Sequence, residues 1–537
     1  MRSGAEKKVI ACLASMLPQL FSTSALQARP ESLTLPPARE AETRPFTAPT
    51  KVHSEQLVAE LKRLQAQIQA HAHPISLKAA VATGLRNNPD LLQAYSTIQQ
   101  FEWQLIAAQR QWYPTLQLQN GSPFVGASWQ TYVNTNYAIS SEQLQTQQQQ
   151  RQQATKSQQI LVQPGVIANW NVIEPSRQPN INAAENALKQ QKYLFDVSAR
   201  NLILSIQQNY FSLQSTQQLI DSFQQIYTIN KQQLNILEAR KSIGMVTVQE
   251  LEQTRSQLFS QLNQLILYTQ NYIDQAAALA QALALPRDQL AIPADPASMQ
   301  GQWALSVSDT ITRALQQREE ILASLSAAEA AEWSAVAAIR TYLPVFSLVA
   351  SGNLIGWNGY QAVPVPVDPG QAYARNRQWS AAVGIGLNWS LFDGGVQAAN
   401  AQAAKAQARQ QQAAAASSEF QVVQQVRSSY GQMQTALVAV SSAEQAYRSA
   451  ELAQDASRAR FEVGVGDITS VVQTIQQLSQ AAQQRAQALL SYNNAVSQLY
   501  RYSATWPAGT QRELHQRIEI LRSDPQPATP SGVGVAP

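Results

Sequence analysis

Side chains able to do covalent chemistry are almost absent from this sequence. Its one cysteine, Cys12, falls within the first twenty residues. Of its four histidines, His53, His71 and His73 precede the patterned part of the chain and His515 follows it. The body between them therefore offers no thiol nucleophile, no Ser-His-Asp triad, no zinc site and no disulfide framework. His71-Ala72-His73 places two imidazoles side by side in a linker, where they read as solvated residues rather than metal ligands. Neither GxxxxGK[ST] nor a GxGxxG between a strand and a helix occurs. The sequence points away from an enzyme, and no cofactor or metal is expected.

The polar residues that stand out lie at chain turns instead. Thr247-Val248-Gln249-Glu250 fits a capping box, with Thr247 capping a helix and Glu250 returning the bond at N3. Asp467-Ile468-Thr469-Ser470 starts another helix, with Asp467 as its cap and favoured there by the helix dipole. Gly244 and Gly464 precede these caps and suit a turn that needs positive φ. Arg240 and Arg460 lie one turn earlier, either as solvated charges at helix C-termini or as contacts for a partner.

The elements that carry these turns follow from composition and repetition. Charged residues make up only 14% of the 537, against about 25% in a typical soluble domain. Glutamine fills the gap, with roughly 80 copies, far above ordinary usage. It is polar, uncharged and a good helix former, so the chain builds wet helical surfaces without charge. A net charge of +4 with no basic cluster interleaved with aromatics gives nucleic-acid binding no support.

Two halves of the chain match. LIAAQRQWYPTLQL (105–118) aligns with AVAAIRTYLPVFSL (335–348), placing Trp103 on Trp333, Arg110 on Arg340 and Pro114 on Pro344. Further on, the offset shortens to about 220: Trp170 falls near Trp389, Tyr210 on Tyr430, Arg240 on Arg460, Gly244 on Gly464 and Leu258 on Leu478. The difference comes from an insert in the first half, QLQTQQQQRQQATKSQQ (143–159). The organisation expected is a signal peptide at 1–25, then a Pro-rich linker and short amphipathic helix at 26–74. A first repeat spans 75–290, a linker 291–304 and a second repeat 305–502, and 503–537 is a tail expected to lack order. The leader reads from Arg2, Lys7 and Lys8, the apolar run Val9 to Phe21 and the small residues Ser22 to Ala25.

Each repeat carries a broken helix (77–90 and 91–112; 307–319 and 320–342), two β segments, a long Gln/Ala helix (183–242; 396–462) and a third helix (247–285; 467–502). Ile206, Leu213, Ile220, Tyr227 and Leu234 recur at every seventh position, the mark of a seam against a neighbouring helix. The long helix should run about 90 Å at 1.5 Å per residue, and the two shorter ones laid end to end match it. No run of 18 apolar residues occurs, so a membrane can be spanned only by a β-barrel.

QWSAAVGIGLNWSLF (378–392) has the required alternation. Trp379, Ala381, Val383, Ile385, Leu387, Trp389 and Leu391 share one face, while the other is small or polar. In the first repeat, Ile160, Val162, Val166, Ala168, Trp170 and Val172 share a face opposite Gln163, Gly165, Asn169 and Asn171. The partner segments near 115–135 and 345–360 alternate less cleanly. Four strands cannot close a barrel, so copies must share one: eight strands in a dimer, twelve in a trimer.

In this order the motifs resemble the TolC-like outer membrane efflux protein family. ISLKAAVATGLRNNPDLLQA (75–94) resembles its entry to the repeat, and NWSLFDGGVQAANAQAAKAQA (388–408) its strand-to-helix passage. ARKSIGMVTVQELEQTRSQL (239–258) and SRARFEVGVGDITSVVQTIQQL (457–478) resemble its two hairpin turns. The resemblance covers about residues 75–502. It implies a mainly α fold with a β-barrel part: a long α-barrel of antiparallel helical hairpins across the periplasm, plus four transmembrane β-strands per chain. Trimerisation would complete the twelve-stranded barrel in the cell outer membrane. It further implies an exit duct for tripartite efflux pumps or type I secretion, with a periplasmic adaptor and, through it, an inner-membrane pump as partners. The gate would lie at the hairpin turns, with Gly244–Thr247 and Gly464–Asp467 meeting the adaptor and Glu250 forming an acidic ring by symmetry. The second turn departs from the pattern. Ser470 and Gln473 stand where acids are common, and Gly466 where an arginine forms a closing bond, leaving Asp467 as a substitute. The competing expectation is a secreted coiled-coil scaffold or adaptor without a pore, which would have no need of the Trp379-to-Leu391 alternation.

Overall fold

The computed structural model describes residues 54–137, 150–362, 371–507 and 509–523. The expected leader at 1–25 and most of the insert at 143–159 lie outside them or carry no described side chains. The chain divides into two compact units, Met1–Leu57 and Val58–Pro537, and the description below concerns the second.

The elements repeat almost residue for residue. The first repeat holds β1 (Ala72–Ile75), α2 (Leu77–Asn87), α3 (Pro89–Arg110), β2 (Thr115–Tyr137), β3 (Gln150–Ile173), α4 (Arg177–Ser242) and α5 (Val248–Ala282), preceded by α1 (Ser54–His71). The second holds β4 (Leu290–Pro293), α6 (Val307–Gln317), α7 (Glu319–Arg340), β5 (Val345–Ala362), β6 (Gln371–Asn388), α8 (Val396–Glu462) and α9 (Ile468–Tyr502), followed by α10 (Thr510–Ser523). Matched helices have 11 and 11, 22 and 22, 66 and 67, and 35 and 35 residues. The strands do not match: 23 and 24 residues in the first hairpin against 18 and 18 in the second, as the insert requires.

The helix boundaries have local causes. Asn88 caps α3 by accepting from the Asp90 amide at 2.8 Å, with Pro89 at the first helical position. Asp393 does the same for α8, accepting from the Gly395 and Gln397 amides at 2.9 and 2.7 Å. The expected seam is present, with Ile206, Leu213, Ile220, Tyr227 and Leu234 all buried. A second seven-residue row runs along α8: Ala401, Ala408, Ala415, Val422, Ser429, Ala436 and Ala443 are all buried. In a helix so rich in alanine this row has no contrast in the sequence, and only packing exposes it.

α4 packs against α3 and α5 and also against α7 and α9, while α8 packs against α7 and α9. The short helices therefore share the length of the long ones. Their junctions are polar. Asn88 donates to the Ala282 carbonyl at 3.0 Å, joining the end of α5 to the start of α3. At the matching junction Arg501 near the end of α9 binds Glu320 at the start of α7 and donates to Asn201 at 2.9 Å. Arg318 joins Glu320 at 3.0 Å, and Arg200 joins Glu319 at 2.8 Å while its guanidinium lies 4.0 Å from the Trp506 ring centre.

Two differences from the sequence expectation emerge. The linker at 291–304 contains β4, which pairs in parallel with β1 through Ala72↔Leu290 to Ile75↔Pro293. The tail expected to lack order contains α10, because Leu514 and Leu521 bury against the core around Leu85, Leu91 and Phe195. Leu514, Ile518 and Leu521 form a single short apolar stripe among Arg, Glu and Gln, too brief to stand out in the sequence.

The charged node has a pH consequence. Burial, and then the Glu319 charge, push Asp196 up to about 6, against the pull of Arg200 and His515. An acid whose folded pKa is raised costs stability above that pKa and is relieved as pH falls toward 3.8. Burial also raises Glu320, but the hydrogen bond and charge of Arg501, then Arg318, outweigh it and leave about 2. That stabilisation is present above pH 4.5 and lost as pH falls toward 2. Asp196→Asn should therefore raise the heat stability of the purified protein at pH 7.5, with the gain about halved at pH 5 and nearly gone at pH 3.8. An equal gain at all three pH values would exclude this titration as its source.

Candidate functional site

The four long strands form one antiparallel sheet in the order β2-β3-β5-β6. Its register assembles a continuous apolar face. Trp379, Ala381, Val383, Ile385 and Leu387 stand opposite Leu354, Gly352, Ala350, Leu348 and Phe346. Beyond these come Val166, Ala168 and Trp170 on β3, then Leu118 and Leu116 on β2. The side chains of this face are bare: Trp379 and Val383 are each 76% exposed and Ile385 81%. The opposite face carries Ser380, Ala382, Gly384, Gly386 and Asn388 with Ser347, Val349, Ser351 and Asn353. Within the strands the expected faces are kept, except that Val172 falls at a bulge between Asn171 and Ile173, while Trp389 and Leu391 lie beyond the end of β6 at Asn388.

The apolar band is slanted across the sheet. On β3 it runs from Ile160 to Trp170, and on β6 from Trp379 to Trp389. Ile160 lies level with Asn358 and Arg375, and Trp170 with Leu348 and Ile385. Both edges of the band therefore shift by four residues over two strand spacings. With ~3.4 Å per residue and ~4.8 Å between strands the shift corresponds to about 55°, and because side chains sample only alternate rows the inclination lies between roughly 35° and 65°. Membrane barrel strands tilt by about 35–45°. At a tilt of about 45°, within that range, eleven residues span about 25 Å, the height of the apolar band of such a barrel.

At the helix side of the band the two repeats use the same latch. Trp170 Nε1 donates to the Trp112 carbonyl at 2.8 Å, and Trp389 Nε1 to the Tyr342 carbonyl at 2.9 Å. Each tryptophan keeps an apolar ring in the band and satisfies its N–H at the helix end. Leu391 follows and is exposed. Arg177, not foreseen from the sequence, is wholly buried beneath this edge. It bonds the Asn171 carbonyl and Glu174, and lies 4.4 Å from the Trp112 ring centre. A cation at a helix start opposes the dipole, so no local signal marked it.

The two hairpin turns share one backbone design. Gly244 at φ +75° donates to the Lys241 carbonyl, and Met245 to that of Arg240. Gly464 at φ +82° and Val465 repeat this with Phe461 and Arg460. Both are Schellman ends whose αL residue favours glycine. The capping box of the first turn is complete: the Glu250 amide donates to Thr247 Oγ1 at 3.2 Å and the Thr247 amide to Glu250 Oε2 at 2.8 Å. The second turn differs from expectation. Asp467 holds the N-cap position, but its carboxylate accepts no capping bond, so only the helix dipole favours it there.

The arginines part company. Arg240 donates to the Phe461 and Glu462 carbonyls at 3.3 and 3.1 Å and lies 4.5 Å from the Phe461 ring centre. It thereby satisfies the open C-terminus of α8 and ties the two turns together. Arg460, at the matching position, is exposed. Around them Ile243, Met245, Val248, Val463 and Val465 stand exposed.

Among the described residues no cluster could hold a metal ion, and no helix is long and apolar enough to cross a membrane.

Residues 310–505 match the model of the outer membrane efflux protein family. No curated protein gives a significant match. Solved structures match along most of the chain. The outer-membrane channel OprN is 15% identical, covers 80% of this chain and 90% of its own, and gives a TM-score of 0.63. The Campylobacter jejuni CmeC outer membrane channel is 16% identical over 82% and 89%, at 0.62. The open state of the Neisseria gonorrhoeae MtrE outer membrane channel is 16% identical over 80% and 89%, at 0.59. Residues 310–505 thus carry the likeness to the outer membrane efflux protein family, and the fold of these channels runs along four fifths of the chain.

Proposed function

We infer that this protein is the outer-membrane exit duct of a tripartite efflux pump or a type I secretion system. Three copies close a twelve-stranded barrel, and the helical hairpins continue as an α-barrel through the periplasm. The observation that carries this reading is the slanted, exposed, eleven-residue apolar band on a sheet whose outer strands, β2 and β6, each keep one unpaired edge. A pore-less scaffold has no use for such a band. The duct does no chemistry: it encloses water and lowers the cost of moving a solute through lipid. An inner-membrane pump supplies the energy, and a periplasmic adaptor docks at the exposed turns around Met245 and Val465. The leader at 1–25 directs export.

The gate lies where the turns converge. Arg240 holds the two turns of one chain together, and Arg460 is the matching group that reaches the neighbouring copy. Glu250, repeated by symmetry, presents acid to the lumen and draws cations.

In detergent, unboiled protein from the outer-membrane fraction should migrate as a heat-sensitive oligomer and conduct in planar bilayers; a soluble monomer would reject the duct. Glu250→Gln retains a capping box, since glutamine serves equally at N3, so a loss of cation preference reports charge alone. Unchanged selectivity removes the acidic ring. Arg240→Ala removes charged hydrogen bonds worth about 1.5–3 kcal/mol. It should speed amide exchange at Gly464 and Val465 roughly tenfold or more and raise resting conductance. Faster exchange without a conductance change would leave Arg240 a structural tie outside the gate.

A further inference from the structure

The four strands carry no aspartate or glutamate, and their only charged residues are Arg151 and Lys156 on β3 and Arg375 and Arg377 on β6. All four stand beyond the apolar band, on the side away from the helices. On β6, Arg377 and Arg375 precede Trp379 by two and four residues, on the same face as Trp379, and both are exposed. Arg375 donates to Asn358 across the strand pair at 3.2 Å, which holds it along the sheet. On β3, Lys156 occupies the position four residues beyond Ile160 and so reaches the same height as Arg375 once the slant is taken into account.

An aromatic residue at the rim of an apolar band marks the headgroup level of a bilayer. Guanidinium groups one and two side-chain steps beyond it meet the phosphates there and bind them in forked geometry. We propose that these hairpin ends bind the phosphate-bearing headgroups of the lipid leaflet facing away from the helices. The site rests on the duct reading, because only a sheet standing in lipid puts Arg375 and Arg377 at a headgroup. The sign of the charge is specific to this rim: at the helix side of the band, Glu174 and Asp393 accompany Arg177.

The test uses the detergent-purified full-length oligomer and diphosphorylated lipid A, with dephosphorylated lipid A as the uncharged probe and lipid occupancy read by native mass spectrometry. Wild type should prefer the phosphorylated lipid. Each arginine near an anionic lipid surface contributes about a fivefold effect, so R375Q/R377Q should lose roughly 20-fold in affinity for it. R375K/R377K, which keeps the charge but loses the fork, should fall between wild type and R375Q/R377Q, and Arg409→Gln, an exposed charge on α8, should change nothing. Equal binding by wild type and R375Q/R377Q overturns the proposal. So does displacement by millimolar inorganic phosphate, which would mean a free-anion site. Heat-sensitive migration of both proteins shows that the barrel has formed. If the wild type itself shows no oligomer, the duct reading has failed, and that result is separate from a formed barrel without lipid preference.

Discussion

A backbone placed in hydrocarbon has no water to bond its N–H and C=O groups, and each unpaired group costs several kcal/mol. On the duct reading, that requirement governs the rest of this molecule. Four strands with an apolar face are adequate against lipid, but the outer edges of β2 and β6 are open. Such edges are tolerable in a membrane only when another strand closes them. On the duct reading proposed above, the chain calls for its own copies, and the helical part inherits that requirement, because each β-hairpin feeds directly into a helix about 100 Å long.

The helices answer it by duplication. Two repeats with the same helix lengths let every long helix be accompanied along its whole length by two shorter ones. The short helices need junctions, and there the polar groups of two helix ends meet inside packed surroundings. Asn88 with the Ala282 carbonyl serves one junction, and Arg501, Glu320 and Arg318 serve the other. Buried ions of this kind give little net stability but are costly to leave unpaired. The charged junction therefore holds the end-to-end arrangement rather than adding to its strength.

The repeats then diverge where symmetry would be a hindrance. The seam of α4 is built of Ile, Leu and Tyr, while the row along α8 is mostly alanine, which lets neighbours approach closely. Arg240 closes one turn onto the other and Arg460 stays exposed. A complete capping box holds the first turn, and the second relies on glycine geometry without a side-chain cap. The two hairpins of one chain are thus unequal in how firmly they are held, although they share backbone design.

Much of this was legible in the sequence, because strand alternation, seven-residue rows, glycine turns and capping boxes are local rules acting through residues a few positions apart. Trp379 to Leu391, Ile206 to Leu234 and Thr247 with Glu250 were readable for that reason, and the internal repeat gave each a second witness. What tertiary structure alone decided concerns groups distant in the chain. It set the register that gathers four apolar rows into one slanted band, the reach of Arg240 to residues 461 and 462, the burial of Arg177, the alanine row of α8 and the docking of α10. None of these leaves a periodic trace. An arginine reads as solvated until a carbonyl 220 residues away stands within 3.1 Å, and an alanine reads as neutral until a helix lies against it. Local geometry is written in neighbouring residues, whereas the energy of a long-range contact exists only once the chain has brought its two ends together.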